Sequence, residues 1–310
     1  MNSLKEAVEE YLTMRRSLGF KLCNERTPLL DFVRFLEEQG VSYVTTRLAL
    51  EWAQKPASAS PQRWARRLSF VRCFARFRSA TDNRTEIPPY SLLPFQPRRG
   101  RPYIYSDQQI LQLLEAVLTL PRLNGFERRT YYCVYGLLAV CGMRIGEVLC
   151  LKMRNIDLCA GVLTLEGSKF GKSRLVPLHI STQKILADYI ALRNETLNGI
   201  PAEQVFVSTD GNRINSGPIR RAFYTLCQQM GLREKNAKRG PRLHDLRHTF
   251  AIKSLLQWYQ TGENVDERLP VLSTFLGHVR VADTYWYLTA CPELMGTAVK
   301  RLEHWWEVKS

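Results

Sequence analysis

Five prolines interrupt the chain between Ile87 and Pro102, in the stretch IPPYSLLPFQPRRGRP. Proline has no backbone N–H and its ring clashes with the preceding turn, so a regular helix cannot run through this stretch. Apolar residues recur at helical spacing on both sides of it. A chain of 310 residues is long enough to form two cores. We therefore expect two domains, residues 1–95 and 104–310, joined by a linker over residues 96–103 that is rich in proline and arginine.

The first domain has a helical pattern throughout. Apolar side chains spaced three or four residues apart predict helices around Leu4 to Leu12, around Leu29 to Leu36 and over Thr46 to Gln54. A fourth helix, from Arg63 to Arg78, has an apolar and aromatic stripe on one side, and arginines fill much of its remaining surface. This arrangement suits docking on a phosphate backbone, although an ordinary helix with solvated arginines would show the same pattern.

The charge balance also favours a polyanionic partner. The formal net charge is +15, and nucleic acid is the first candidate for such a chain, although a merely basic protein would have the same balance. The predicted DNA contacts lie on the fourth helix, in the linker and at one lysine beyond it: Arg63, Arg66, Arg67, Arg72, Arg76, Arg98, Arg99, Arg101 and Lys172.

Several other classes of protein are disfavoured. The longest apolar-rich stretch, Tyr131 to Cys141, is far shorter than the roughly 20 residues that span a membrane. The N-terminus, MNSLKEAVEE, becomes acidic and helical at once and does not resemble a signal peptide, so we expect a cytoplasmic protein. The eight cysteines include no C-x-x-C pair, and neither they nor the histidines have the spacing of a zinc site. We predict reduced thiols and no metal.

Beyond the linker, the pattern stays mainly helical with one exception. Ser106 is a suitable N-cap for a helix over Asp107 to Leu120, and a further helix through Tyr131 to Val140 would end at Gly142. Residues 161–178, GVLTLEGSKFGKSRLVPL, instead indicate two short strands around a glycine-rich turn. We therefore expect a mainly α protein with a small β-sheet, an α+β fold.

Four short segments of this second domain carry the residues that suggest chemistry: CGMRIGE, EGSKFGKSRLVPL, LHDLRHTFA and LGHVRVADTYWYL. In the first, Arg144 lies at the exposed start of a helix, IGEVLCLKM, and Glu147 on the same face would orient a neighbour by hydrogen bonding. In the third, His244 and Arg247 are three residues apart and project from one helix face. His248 falls off that face, and we assign it a structural role.

In this order and with these spacings, the four segments resemble the catalytic domain of the tyrosine recombinases, the integrase and Xer-like enzymes that cut and rejoin DNA through a phosphotyrosine. The resemblance covers residues 104–290 in its motifs. Over the N-terminal domain it rests on helical pattern and basic charge, and it implies a SAM-like helical core-binding domain there. For the catalytic domain it implies the DNA breaking-rejoining fold and six catalytic residues: Arg144, Lys169, His244, Arg247, His278 and Tyr287.

The family's motifs select these residues one by one. A Gly-His pair precedes the tyrosine by nine residues in the family, commonly with Thr-x-x-Tyr at the end, which selects His278 and Tyr287 here. Tyr285, two residues before, would face another direction on a helix and is given no role. The K-x-R-x-x-P ending of the second segment puts Lys169 at the position of the family's catalytic lysine, with Lys172 as the second choice.

The resemblance implies a reaction without metal, ATP or another cofactor. The two arginines would hold the oxygens of the phosphate, because guanidinium groups are planar, permanently charged and able to bind two oxygens each. His244 and His278 would add hydrogen bonds, with His244 also accepting the proton of the tyrosine. Lys169 would protonate the departing 5′-oxygen. The resulting 3′-phosphotyrosine retains the energy of the broken bond and can be attacked by another 5′-hydroxyl.

The resemblance also implies partners: double-stranded DNA with specific recombination sites, and further copies of this chain in a homotetramer on that DNA. It further implies a nucleoid-associated protein encoded by a bacterial mobile element. Sister recombinases or accessory proteins remain open as further partners. The last twenty residues predict an amphipathic helix that either docks on a neighbouring subunit or packs on its own domain. Two alternatives stay open, a type IB topoisomerase-like enzyme that nicks and reseals one strand, and a non-catalytic DNA-binding protein of the same fold.

Overall fold

The computed structural model describes residues 3–22, 24–94, 100–166, 173–237, 240–290, 294–296 and 299. The chain divides into two compact units, Met1–Arg99 and Gly100–Ser310. The boundary between the units falls within the predicted linker over residues 96–103, of which residues 96–99 lie outside the described part. Among the described residues, no helix is both long and apolar enough to cross a membrane.

The N-terminal unit is helical, as the apolar pattern predicted. Its helices are α1 (Leu4–Ser17), α2 (Arg26–Glu38), α3 (Thr46–Gln54) and α4 (Pro61–Arg78). The side chain of Ser3 accepts a hydrogen bond from the backbone of Glu6, and that of Thr45 from the backbone of Leu48, so α1 and α3 both begin at capped ends. The core of the unit contains large buried side chains from all four helices, namely Leu12, Phe32, Trp52 and Phe74.

The second unit, Gly100–Ser310, is called the catalytic unit below after the domain that its motifs resemble. It consists mainly of helices: α5 (Asp107–Leu118), α6 (Gly125–Val140), α7 (Ile145–Leu149), α8 (Ile180–Leu197), α9 (Ser216–Gln229), α10 (Asp245–Gln260), α11 (Val265–Leu276) and α12 (Ala282–Ala290). Ser106 caps α5 in a reciprocal pair of hydrogen bonds with Gln109, as its position predicted. The predicted helix IGEVLCLKM was too long, because α7 ends at Leu149. Beyond it, the backbone of Leu151 and Met153 pairs with residues 203–205 and cannot continue the helix.

A small antiparallel sheet follows α7 and confirms the predicted hairpin. Its strands are β1 (Ile156–Asp157), β2 (Val162–Leu165) and β3 (Arg174–Pro177), in that spatial order. Leu163 pairs with Val176 in the centre of the hairpin, and Leu165 pairs with Arg174 at its end. The sequence did not predict β1, since two residues are too few to show the alternation of a strand. The turn between β2 and β3 lies outside the described residues.

Two helices of this unit end in glycines that bring distant segments together. Gly142, after α6, has a φ of +56°, and a Cβ there would lie 2.5 Å from the ring of Phe250 on α10. Gly277, after α11, has a φ of +64°, and a Cβ there would lie 2.6 Å from Nη1 of Arg174. Only glycine adopts this conformation without strain and leaves room for such neighbours. The C-terminal ends of α6 and α11 therefore approach α10 and β3 closely.

Candidate active site

Arg144 lies at the N-terminal end of α7 and is held from both sides. Its backbone N–H donates to Oε2 of Glu147 over 2.8 Å, and its Nη1 donates to Oε1 of the same carboxylate over 2.8 Å. Its Nη2 donates to the carbonyl oxygen of Gly277, also over 2.8 Å. The side chain is 30% exposed. Arg144 is thus fixed in place while part of its guanidinium remains accessible.

Glu147 is the shared acceptor of two arginines. Nη1 and Nη2 of Arg174 donate to its two oxygens over 3.0 and 2.8 Å in a bidentate pair, so each oxygen accepts from both arginines. Burial by itself raises the pKa of Glu147, but hydrogen bonds from Arg174 and from the backbone of Arg144, together with both positive charges, lower this pKa to about 2. The carboxylate is therefore ionised at any physiological pH.

Arg247 projects from the first turn of α10 into a buried position and is 1% exposed. Its Nη1 donates to the carbonyl oxygen of Gly142 over 2.6 Å, and its Nη2 donates to that of Leu276 over 2.5 Å. These carbonyls lie at the C-terminal ends of α6 and α11, where the helix dipoles favour positive charge. Burial, and to a smaller extent the charge of Arg144, lowers the pKa of Arg247 to about 10, so the guanidinium stays protonated at neutral pH.

His244, directly before α10, and His248, in its first turn, form a pair next to Arg247. The rings of His244 and His248 lie 4.6 Å apart in an edge-on arrangement. Desolvation by the surrounding protein and the charge of Arg247 lower the pKa of His244 to about 4, although the residue itself remains exposed. Burial and the neighbouring His244 lower the pKa of His248 to about 3. Both imidazoles are therefore neutral at pH 7, and each has one ring nitrogen that can accept a hydrogen bond.

Tyr287, on α12, is buried among these groups and is 2% exposed. Its hydroxyl lies 3.1 Å from Nδ1 of His248. The ring of His278 stacks on the tyrosine ring with centroids 6.1 Å apart, and Nδ1 of His278 lies 2.7 Å from the hydroxyl of the buried Thr284. In contrast, Tyr285 is 45% exposed. The two neighbouring tyrosines thus occupy opposite environments, one within the histidine cluster and the other in contact with solvent.

Comparison with known proteins places the chain in a family. Residues 105–293 match the sequence model described as "Phage integrase family". The chain belongs to this family of tyrosine recombinases. It is 51% identical to the "Putative integrase/recombinase y4rB" of Sinorhizobium fredii over 311 residues, which cover 99% of both chains. It is 29% identical to the tyrosine recombinase XerD of Staphylococcus aureus over 72% of this chain and 70% of that protein.

A solved structure with the same fold is that of the Tn1549 transposon integrase in complex with transposon right end DNA. It matches with a TM-score of 0.64 at 15% identity and covers 98% of this chain and 99% of that one. The mainly helical fold with a small sheet and the membership of the recombinase family, both predicted from the sequence, are thereby confirmed. The enzyme class that follows is a site-specific tyrosine recombinase.

Five of the six residues that the recombinase motifs selected lie in one connected cluster: Arg144, His244, Arg247, His278 and Tyr287. Their elements meet because Gly142 and Gly277 allow the ends of α6 and α11 to approach α10. Lys169 and Lys172 lie outside the described residues, as do the linker arginines Arg98 and Arg99. Within the described ranges, no group of three or more His, Cys, Asp or Glu side chains is arranged to hold a metal ion.

Sequence reasoning missed two residues of this cluster. His248 was given a structural role, yet its ring contacts the hydroxyl of Tyr287. It lies four residues after His244, and this i,i+4 spacing puts the two rings on one helix face, which was the available signal. Arg174 was used only to align the lysine motif. Its bond to Glu147 joins positions 27 residues apart in the chain, so no local pattern could have indicated it.

The arginines of α4 divide into two groups. Arg72 is buried, and its Nε and Nη2 donate to the carbonyls of Pro88 and Pro89 over 2.7 and 2.8 Å. Arg67 stacks on Trp52 at 3.7 Å and pairs with Asp31. The guanidinium groups of Arg67 and Arg72, which were predicted to contact DNA, instead bind groups within the unit and stabilise it. Arg63, Arg66 and Arg76 are exposed on the same helix, and Arg101 is exposed at the start of the catalytic unit.

An open cleft of about 1250 Å³ runs along this helix in the N-terminal unit. Its lining includes the exposed Arg63 and Arg66, the ring of Phe70 and the exposed ring of Tyr90. Arg76 donates to the hydroxyl of Tyr90 over 3.0 Å. A groove that combines guanidinium groups with exposed aromatic rings has the composition of a nucleic-acid contact surface.

Proposed function

We propose that this recombinase cleaves and rejoins double-stranded DNA at specific sites through a 3′-phosphotyrosine intermediate, with Tyr287 as the nucleophile. The observation that carries the proposal is the surroundings of Tyr287. Its hydroxyl lies 3.1 Å from a neutral imidazole, in a cluster that also contains the guanidinium groups of Arg144 and Arg247. A tyrosine that only packed in a core would not need two arginines and three histidines around it.

In the forward reaction, the phenol oxygen of Tyr287 attacks the scissile phosphorus and the bond from phosphorus to the 5′-oxygen breaks. The phenol proton passes to a neutral histidine. His244 is the acceptor expected from the family, and His248 is the histidine whose Nδ1 faces the hydroxyl in this resting structure. Arg144 and Arg247 bind the equatorial oxygens, whose negative charge grows in the five-coordinate transition state. The departing 5′-oxygen takes a proton, and we assign the donation of that proton to Lys169.

The second half reverses these steps. A 5′-hydroxyl attacks the phosphotyrosine, and the phenol leaves with a proton returned by the histidine. Because the phosphotyrosine retains the free energy of the phosphodiester, the exchange of strands requires no ATP. The charge of the phosphate is balanced by side chains of the chain itself, so the proposal includes no metal.

Tyr287 must change its environment before it can attack. At 2% exposure, its hydroxyl cannot reach a phosphate of a bound duplex. We infer that binding of DNA shifts α12 and exposes the hydroxyl of Tyr287 to the scissile phosphate. The biological role that we propose is integration or transposition of a mobile element, supported by the transposon integrase of the same fold. Assembly into a tetramer, the DNA contacts of Arg63, Arg66, Arg76 and Arg101, and association with the nucleoid remain predictions.

The test is formation of a covalent adduct. The purified protein is incubated with nicked suicide duplexes that span candidate ends of a mobile element, followed by denaturing electrophoresis. We expect a protein–DNA band that resists SDS and is lost in Tyr287→Phe, because the phenyl ring has no nucleophile. Tyr285→Phe is the matched control, since it removes the same atom two residues away at the exposed site, and it should keep the band.

Other outcomes would change the assignment. Loss of the band in Tyr285→Phe with retention in Tyr287→Phe would exchange the two tyrosines. Absence of an adduct on DNA that the protein binds would favour the non-catalytic alternative. If adducts form and plasmids are relaxed but recombinant products never appear, the topoisomerase-like alternative is correct.

A further inference from the structure

We propose that Arg174 is a positioning residue of the cleavage site, which neutralises Glu147 so that the positive charge of Arg144 remains available to the scissile phosphate. The inference rests on the proposed function for the identity of that phosphate. It starts from the side chain of Arg174, which is only 8% exposed and is committed to two partners. Its Nε donates to the carbonyl of Phe275 over 2.7 Å, and its Nη atoms form the bidentate pair with Glu147.

The charges of the three side chains explain why a second arginine is useful. Arg144 and Glu147 alone would form a neutral pair, and the charge on Arg144 would be largely cancelled at the phosphate. With Arg174 paired to the same carboxylate, the group Arg144–Glu147–Arg174 has a net charge of +1. Glu147 can then act as a rigid hydrogen-bond acceptor for Arg144 without removing the electrostatic attraction for an anion. The fork of Arg174 fits a carboxylate better than a lysine would.

The contacts of Arg174 also connect the segments that hold the site. The residue begins β3, and the described part of the chain resumes with Ser173, just after residues 167–172, which include Lys169 and Lys172. Its guanidinium packs against Gly277, where a Cβ would lie 2.6 Å from Nη1. The carbonyl of that glycine accepts the hydrogen bond from Nη2 of Arg144, and the next residue is His278. One side chain thereby fixes the start of β3, the end of α11 and the carboxylate that orients Arg144.

A comparison within the same unit separates this role from ordinary support of the fold. Arg193 is buried to a similar degree, at 4% exposure. Its Nε and Nη2 donate to the carbonyls of Val205, Ala202 and Gln204, and its Nη1 donates to the side chain of Asn194. Arg193 therefore stabilises a loop through hydrogen bonds, and among the described residues it has no carboxylate partner. Arg193→Gln is the matched control for the loss of a buried arginine.

The experiment uses full-length protein and compares wild type with Arg174→Gln, Arg174→Lys, Glu147→Gln, the double variant Glu147→Gln/Arg174→Gln, and Arg193→Gln. Single-turnover adduct formation is measured at saturating suicide duplex, together with the Kd for the duplex and the Tm. We expect Arg174→Gln to slow adduct formation on the order of 100-fold, comparable to the loss of one group that stabilises transition-state charge, with little change in Kd. Arg174→Lys should recover part of the rate.

The double variant distinguishes charge balance from structural support. Removing Glu147 as well restores the net charge of +1, so the double variant should cleave faster than Arg174→Gln. If Arg174 only supported the fold, restoring the net charge would not restore cleavage. The double variant would then cleave no faster than Arg174→Gln, and that result overturns the proposal. The proposal is equally overturned if Arg174→Gln lowers the Tm as much as Arg193→Gln does but cleaves at the wild-type rate.

A second measurement does not depend on cleavage. Inorganic phosphate raises the Tm of a protein that binds it in the folded state. The difference between this rise in wild type and in Arg144→Gln is the share of the stabilisation that depends on Arg144. That share should shrink in Arg174→Gln and return in the double variant. If wild type forms no adduct, the proposed function fails, while the phosphate measurement still decides the role of Arg174. An unchanged share in Arg174→Gln would refute that role.

Discussion

Buried arginines occur in both units of the molecule, and they serve different purposes. In the N-terminal unit, Arg72 donates to the carbonyls of two consecutive prolines, Pro88 and Pro89, and holds the chain after α4 against the helix. In the catalytic unit, Arg247 also donates to two carbonyls, but they belong to the ends of two helices that are 134 residues apart in the chain. The first arginine closes a local segment, whereas the second marks the point where distant elements meet.

The difference shows which arginines carry functional information. On α4, the abundance of arginine predicted a DNA surface, yet three of these arginines, Arg67, Arg72 and Arg78, bind groups inside the unit. In the catalytic unit, Arg144 and Arg174 share the carboxylate of Glu147. Arg144, Arg174 and Arg247 also donate to three consecutive carbonyls, those of residues 275–277, so their charges lie close together. Many arginines along one helix indicate a basic surface. Arginines from different elements that lie close together in space indicate a site that binds one phosphate.

The largest effect should come from Arg247→Gln. The change leaves the carbonyls of Gly142 and Leu276 without their donors and removes a positive charge from the transition state. We expect adduct formation to fall about 100- to 1000-fold and the free energy of unfolding of the catalytic unit to fall by about 2–3 kcal/mol. Single-turnover cleavage and urea denaturation measure the two quantities.

Arg72→Gln is the control for this prediction, since it removes a buried arginine that also binds two carbonyls. It should destabilise the N-terminal unit by a similar amount, while the folded protein at saturating DNA cleaves at the wild-type rate. If Arg72→Gln reduces the cleavage rate as strongly as Arg247→Gln, the distinction between the two buried arginines is wrong.

A smaller effect is expected from two neighbouring arginines of α4. Arg66 is exposed, whereas Arg67 is paired with Asp31 and stacked on Trp52. If Arg66 neutralises one DNA phosphate, Arg66→Gln should reduce the slope of log Kd against log salt by about 0.9. Arg67→Gln should leave the slope unchanged and lower the stability of the unit. Fluorescence anisotropy at several salt concentrations tests this, and equal slopes in both variants would remove Arg66 from the DNA surface.

The smallest effect concerns pH and again separates the two units. All five histidines of the chain lie beyond residue 100. The folded pKa values of His248 and His244, about 3 and about 4, lie below the ordinary value of 6.5, so below pH 6.5 the unfolded chain takes up protons that the folded chain does not. The stability of the catalytic unit should therefore fall as the pH is lowered from 7 to 5, by about 1 kcal/mol per pH unit on average for His248.

The N-terminal unit should keep its stability in this interval. Its Asp82 has a pKa lowered to about 2 by the hydrogen bond from Arg84, and the stability that this carboxylate contributes is lost only as the pH falls from about 4 towards 2. Urea denaturation with pulse proteolysis follows each unit separately. His248→Gln should reduce the pH dependence of the catalytic unit, and Glu147→Gln should not, because Glu147 titrates below pH 4.5. An equal loss of stability in both units between pH 7 and 5 would contradict the assignment.

Much of the fold and of the site could be predicted from local patterns. The bounds of α3, the cap at Ser106 and the position of Arg144 at the start of α7 follow from spacing and capping within a few residues. Three of the four motifs selected five described residues that lie in one cluster, and the residue that the remaining motif selected, Lys169, lies outside the described part. In contrast, the end of α7 was wrong because residues far along the chain pair with its backbone, and β1 was missed because it is only two residues long.

The sequence by itself determined the helices, the hairpin and the family, because these depend on residue type at short spacing. Only the tertiary structure decided that Tyr287 rests against His248, that Arg72 faces inward and that Arg174 shares Glu147 with Arg144. Most of these contacts join residues between 16 and 39 positions apart. The strength of these contacts depends on which polar groups are buried next to one another. That arrangement is set by the tertiary structure, in which the helix ends at Gly142 and Gly277 approach each other.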